Sequence, residues 1–172
     1  VDELGLREQT LVLFTSDNGP AFQVPHPYGS AGVLRSQKGS VYEGGVRVPG
    51  IIRWPGRIKP GQTSAAPFNG TDLLPTLCEI VGIDLPQDRP LDGASFLPAL
   101  EGRPVRRDAP LYWQYMGVLP GEPNVAMRDG DWKILARLTP EPFDQKGRHD
   151  VGTYMPAYRH SKLHTFELYN LV

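Results

Sequence analysis

From Thr10 to Ser16 the chain carries an apolar stretch with no alternation, which stops at Asp17-Asn18-Gly19-Pro20. Such a run, rich in β-branched, aromatic and leucine side chains, predicts a strand covered on both faces, as in the parallel sheet of an α/β domain. Gly50-Ile51-Ile52-Arg53 predicts a second short buried strand, ended by Pro55-Gly56. The period then changes. Leu73, Leu74, Leu77, Ile80 and Val81 fall on one helical face, Pro75 sits in the first turn and Gly82 stops the helix. Its cap is assigned to Thr71 or Asp72, which accounts for Asn69-Gly70-Thr71 better than a glycosylation acceptor does. Cys78, inside this helix, reads as a small core residue.

Val1 to Gly5 reads as the last turn of a helix closed by glycine, and Asp92-Gly93-Ala94-Ser95 caps a shorter helix, Phe96 to Leu100, closed by Gly102. Past the helix-breaking stretch from Gly102 to Asp108 the pattern turns to strands. Leu111 to Tyr115 is one. Val125 to Arg128 and Trp132 to Leu135 are two more, joined through the hairpin signal Asp129-Gly130-Asp131. Phe166 to Leu171 is the last. The pattern predicts an α/β unit over 1–107 and an antiparallel β subdomain over 108–172, with a long polar loop from Thr139 to His164.

Composition narrows the partners. The 172 residues carry a net charge of −1, which gives no polyanion-binding surface, so nucleic acid is not an expected partner. No apolar run approaches the ~18 residues of a membrane span. One cysteine leaves no internal disulfide. The chain opens on Val1 without an initiator Met and stops inside a strand pattern, so both ends read as cut.

The candidate chemistry begins at Asp17 and Asn18. A carboxylate beside a carboxamide is a hard oxygen pair suited to Ca²⁺ or Mg²⁺, and strand tips are where α/β sheets gather ligands. The same residue types also favour a plain turn. Downstream, Arg35, Lys38 and Arg47 lie among small and glycine positions, a combination that can bind a tetrahedral oxyanion, or form a surface loop in which Glu43 pairs with Arg47. His26 is a loop histidine that could contact substrate at the mouth of a site. His160 and His164 are spaced as zinc ligands on a helix but lack a third ligand in register; with His149 they read as surface residues.

Ser16-Asp17-Asn18-Gly19-Pro20, followed by Lys38-Gly39-Ser40-Val41-Tyr42-Glu43-Gly44-Gly45-Val46-Arg47-Val48-Pro49, closely resembles the type I sulfatases, the arylsulfatase-like members of the alkaline phosphatase superfamily. The resemblance continues through Trp54-Pro55-Gly56, Thr71 to Leu77, Asp92 to Ser95 and Glu167-Leu168-Tyr169-Asn170-Leu171. It implies the C-terminal part of an alkaline-phosphatase-like parallel or mixed sheet with flanking helices, followed by a small antiparallel sheet. It also implies that Asp17 and Asn18 are two ligands of a divalent cation, usually Ca²⁺, and that Lys38 contacts the substrate sulfate. Tyr42, Glu43, Gly44, Gly45 and Arg47 would shape the loop holding Lys38. The implied substrate is a sulfated small molecule or carbohydrate, in a secreted, periplasmic or lysosomal setting.

One departure bears on activity. The family nucleophile is a formylglycine made from Cys or Ser in a Cys/Ser-x-Pro-x-Arg motif, and this sequence has none. The expectation is therefore a sulfatase fragment, inactive alone, whose nucleophile and remaining metal ligands lie outside this chain. A phosphodiesterase or phosphonate hydrolase of the same superfamily is the alternative enzyme reading. A non-catalytic sugar-binding module, with the strands after Asp108 as the binding unit, is the non-enzyme one.

Overall fold

The computed structural model describes residues 1–21, 29–115, 121–139 and 160–172. The chain divides into two compact units. One is Val1–Asp17 with Pro49–Leu111, the other Asn18–Val48 with Tyr112–Val172. The strand-rich unit therefore takes in residues 18–48 as well as the C-terminal strands.

In the first unit, β1 (Val12–Thr15) pairs antiparallel with β2 (Gly50–Arg53), with Val12 opposite Arg53 and Phe14 opposite Ile51. The sequence pattern predicts a strand buried on both faces of a parallel sheet, and the structure differs. Among the described residues β1 has β2 as its one strand neighbour and runs against it, and Phe14 and Ile51 are 62% and 60% exposed. Leu13 and Ile52, on the opposite pleat, are partly covered. A two-stranded ribbon buries only the face that other residues overlie, so a hydrophobic run cannot by itself decide how many faces are covered.

The helix predicted after residue 71 is α2 (Leu73–Val81), closed by Gly82 at φ 71°, with Ile83 N–H donating to Cys78 C=O. Its buried residues are Pro75 and Thr76, whereas Leu74, Leu77 and Val81 are exposed, so the predicted apolar face is not the covered one. The helix is instead held by its first turn. Asn69 accepts from the Thr71 amide and hydroxyl, while Asp72 reaches back to the Asn69 amide, a reciprocal capping box on the turn Gly70–Asp72. The cap is Asn69 with Asp72, not Thr71.

Asp72 is the polar centre of this unit. Fully buried, it accepts from the Ala94 amide and from both terminal nitrogens of Arg107 (2.7 and 2.6 Å), and Arg107 also donates to Pro67 C=O. The Thr76 hydroxyl accepts from the Phe96 amide at the start of the short helix α3 (Leu97–Leu100). Glycine ends the N-terminal turn as its position suggests: Gly5 lies at φ 65°, with Leu6 N–H bonded to Val1 C=O and Gly5 N–H to Asp2 C=O.

Among the described residues four strands form a sheet in sequence order, β3 (Leu111–Gln114), β4 (Val125–Asp129), β5 (Trp132–Thr139) and β6 (Lys162–Asn170), all but Leu111 within the second unit, and β5 runs antiparallel to both β4 and β6. Asp129 pairs with Trp132, so the hairpin closes through Gly130 and Asp131 at the predicted place. Alternation on β5 sends Lys133 and Leu135 inward. Leu135 packs with Ala126, Val41 and Tyr42, and Trp113 and Tyr169 flank them. This core carries the one-turn helix α1 (Glu43–Val46) and the loop leading into it.

Candidate functional site

The two sequence motifs meet inside the second unit. Gly19 N–H donates to Gly45 C=O at 2.8 Å, and Lys38 N–H donates to Pro20 C=O at 3.0 Å. Gly44 N–H donates to Arg35 C=O at 2.7 Å, folding the loop back on itself. The glycines are required by this packing. A Cβ on Gly19 would overlap the Gly44 carbonyl, one on Gly44 the carbonyls of Arg35 and Ser36, and one on Gly45 the carbonyl of Ser40. Their amides are spent within the chain, so they do not form the ligand-facing cradle that the glycine-rich pattern suggested. Gly44→Ala is expected to destabilise this unit by about 1–3 kcal/mol, because backbone and not a flexible side chain must yield. Denaturant unfolding followed by Trp113 and Trp132 fluorescence measures it; an unchanged midpoint would show that the loop relaxes freely.

The three cations of this loop have different surroundings. The Arg35 guanidinium lies 3.7 Å over the Tyr42 ring and donates to the Tyr169 hydroxyl at 2.9 Å. The Tyr42 hydroxyl donates to Glu167 on β6 at 2.7 Å, and the Tyr169 hydroxyl donates to the same carboxylate at 2.5 Å. Burial and the Glu167 carboxylate together push the Tyr42 phenol well above its ordinary range. Burial raises the Glu167 carboxyl, but the two tyrosine hydroxyls and Arg35 outweigh it and hold the group below the usual carboxylate range.

Arg47 lies 3.8 Å from one Glu43 oxygen, which is the pair expected within the loop. The stronger partner comes from β5. Lys133, 1% exposed, donates from Nζ to the other Glu43 oxygen at 2.7 Å and lies 5.0 Å from the Trp113 ring. Burial lowers the Lys133 ammonium and the Glu43 carboxylate partly restores it. Lys38 is the third cation. It is exposed, and among the described residues its ammonium makes no ion pair or hydrogen bond. Sequence reading did not find Glu167 or Lys133. An ionisable residue at an inward position of the apolar strand Trp132 to Leu138 was the available signal, since buried charge needs a partner.

Asp17 is exposed at the tip that follows β1 and closes the first unit; Asn18 opens the second, with its carboxamide oxygen shielded from solvent. Both offer hard oxygen donors, which suits Ca²⁺ or Mg²⁺. No group of three or more metal-ligating His, Cys, Asp or Glu side chains occurs among the described residues, and two donors fill only part of the six to eight positions Ca²⁺ takes. The donor chemistry thus fits a cation while the donor number makes a partial set. His26 and His149 lie outside the described residues. His164 sits in β6, so its spacing from His160 is not that of a helix face. Cys78 borders an open cleft of about 490 Å³ in the first unit, beside Asp92 and Arg106, and no predicted site residue lines it.

The sulfatase family profile matches residues 1–83. Steryl-sulfatase of Mus musculus is 42% identical over 120 residues, 67% of this chain and 19% of that protein. Arylsulfatase A of Homo sapiens is 42% identical over 159 residues, 91% of this chain and 29% of that protein. A solved Bacteroides thetaiotaomicron structure, described with the metabolism of multiple glycosaminoglycans, matches with a TM-score of 0.68 and 26% identity over 99% of this chain and 34% of its own. The chain spans less than a third of the length of the two sequence relatives. The fold is the C-terminal part of an alkaline-phosphatase-like α/β structure, with helices followed by a small antiparallel sheet. With its two motifs locked together at Gly19 and Gly45, the chain belongs to the sulfatase family.

Proposed function

We propose that this chain is the C-terminal part of an enzyme that hydrolyses sulfate esters of a carbohydrate or another small alcohol, and that Lys38 is its cation for the substrate sulfate. One observation carries the reading: Lys38 is exposed and, among the described residues, without an ionic partner, on a loop built by both sulfatase motifs, while Arg35 is committed to Tyr42 and Tyr169. In this reading Lys38 binds and orients the sulfate and stabilises charge developing near the ester oxygen. Asp17 and Asn18 supply two oxygen ligands to Ca²⁺ or Mg²⁺, which when bound neutralises charge on the sulfuryl oxygens. The formylglycine nucleophile and the remaining ligands come from outside this chain, which by itself is inactive. His26, which lies outside the described residues, is assigned a substrate contact in the same reading.

Residues 1–107 then belong to the catalytic domain and 108–172 to its C-terminal β subdomain. The setting is secreted, periplasmic or lysosomal; no described helix is long and apolar enough to cross a membrane. The glycosaminoglycan context of the Bacteroides structure supports a sulfated sugar as substrate.

The test is a comparison by the sulfatase-length protein of 4-nitrophenyl sulfate, bis(4-nitrophenyl) phosphate and a sulfated monosaccharide. Turnover of the sulfates well above the phosphate diester is the expected result. Preference for the diester would replace this reading with the phosphodiesterase one, and sugar binding without turnover would favour a non-catalytic module.

A further inference from the structure

The backbone on both sides of Lys38 is tied to the C-terminal sheet by ionisable side chains, and these ties join residues about a hundred positions apart. We propose that Glu167 and Lys133 are positioning residues that fix the loop presenting Lys38; this rests on the reading of Lys38 as the sulfate-binding cation. Three residues before Lys38, Arg35 lies 3.5 Å from Glu167 and stacks on Tyr42. Four residues after it, Tyr42 donates to the same carboxylate. One side chain on β6 therefore holds both flanks of the loop. Tyr169 donates to Glu167 as well, so the carboxylate is oriented by two hydroxyls and a guanidinium.

The second tie is stricter. Lys133 is buried, and an ammonium there without its carboxylate is costly, so Glu43 cannot leave without exposing or neutralising Lys133. Glu43 begins α1, whose Gly44 amide returns to Arg35. Ser36 adds a third contact, donating from its hydroxyl to Glu122 at 2.7 Å while held at φ 67°, a conformation uncommon for a residue with a side chain. A lysine has four rotatable side-chain bonds, so the accuracy with which its ammonium meets a substrate depends on how firmly its own backbone is held. A misplacement of ~1 Å from a distant change can cost about 100-fold in rate.

The experiment has two arms. In the chain as it stands, amide hydrogen exchange is compared for wild type, Glu167→Ala and Lys133→Met. Faster exchange at Lys38, Gly44 and Gly45, by about tenfold or more, with α2 unchanged, is expected. Unchanged exchange at those amides would overturn the proposal. In the sulfatase-length protein, Glu167→Ala is measured alone and combined with Lys38→Ala. The expected loss in kcat for 4-nitrophenyl sulfate is about 10–100-fold alone and under about threefold when Lys38 is already absent, because the effect passes through Lys38.

An equal loss in both backgrounds would show that Glu167 supports the fold generally and not Lys38. If Glu167→Ala fails to fold, Tyr42→Phe, which deletes one hydroxyl, is expected to show the same non-additivity at smaller size. Full activity of Lys38→Ala alone would sink the sulfate-binding reading. The exchange arm would still report separately whether Glu167 and Lys133 hold the loop.

Discussion

Replacing Lys38 by alanine in the sulfatase-length protein is expected to lower kcat for 4-nitrophenyl sulfate by about 10²–10³-fold, the usual cost of removing one preorganised contact to developing charge. The folded state should be unaffected. Lys38 is exposed and its ammonium makes no described contact; the bond that matters to the loop, to Pro20, is made by its backbone amide. A substitution at this position therefore separates chemistry from stability in a way that Tyr42 or Glu43 cannot. Lys38→Arg should restore little, because a bulky, rigid planar fork does not reproduce a compact ammonium on a flexible four-carbon stem. Steady-state kinetics beside a denaturation midpoint check both halves. Unchanged kcat, or a lost fold with lost rate, would contradict this role.

Asp72→Ala is expected to have the largest effect on stability, about 3–5 kcal/mol, the range for removing one partner of a buried ion pair. Asp72 is wholly buried and accepts from the amides of Asn69 and Ala94 and from two nitrogens of Arg107. Alanine there leaves a largely buried guanidinium without a counterion and two amides without acceptors, and it removes the capping box ahead of α2. Asp72→Asn should be milder, since a carboxamide oxygen can still accept. Hydrogen exchange of α2 amides across a denaturant series resolves the first unit from the second, as a single melting temperature would not for a chain of two units. Retention of α2 protection in Asp72→Ala would show that the helix is held by something other than this hub.

Which features could be read beforehand follows from the range of the interactions. Gly82, Gly102 and Gly130 were legible because a left-handed position or a two-residue turn is a demand made by neighbours in the chain. Leu74, Leu77 and Val81 were not. Their spacing correctly gave a helix, but coverage belongs to whatever packs against it, and here Pro75 and Thr76 face inward instead. The same reason separates the correct strand at Val12–Thr15 from its incorrect burial. The partner of Glu43 illustrates a third case. Arg47, four residues away, is the partner that chain order offers, whereas Lys133 is ninety away and forms the shorter bond.

By itself the sequence determined most element types, the glycine stops, the hairpin turn and the pair of motifs that marks the family, because all of these depend on the local order of side chains. Tertiary structure alone decided that Gly19 lies against Gly44 and Gly45, that Glu167 and Lys133 grip the flanks of the Lys38 loop, and that among the described residues Lys38 is left without an ionic partner while Arg35 is engaged. Those outcomes depend on which distant carbonyls and carboxylates come within about 3 Å. Chain order does not encode such distances; the packing of the sheet against the loop sets them.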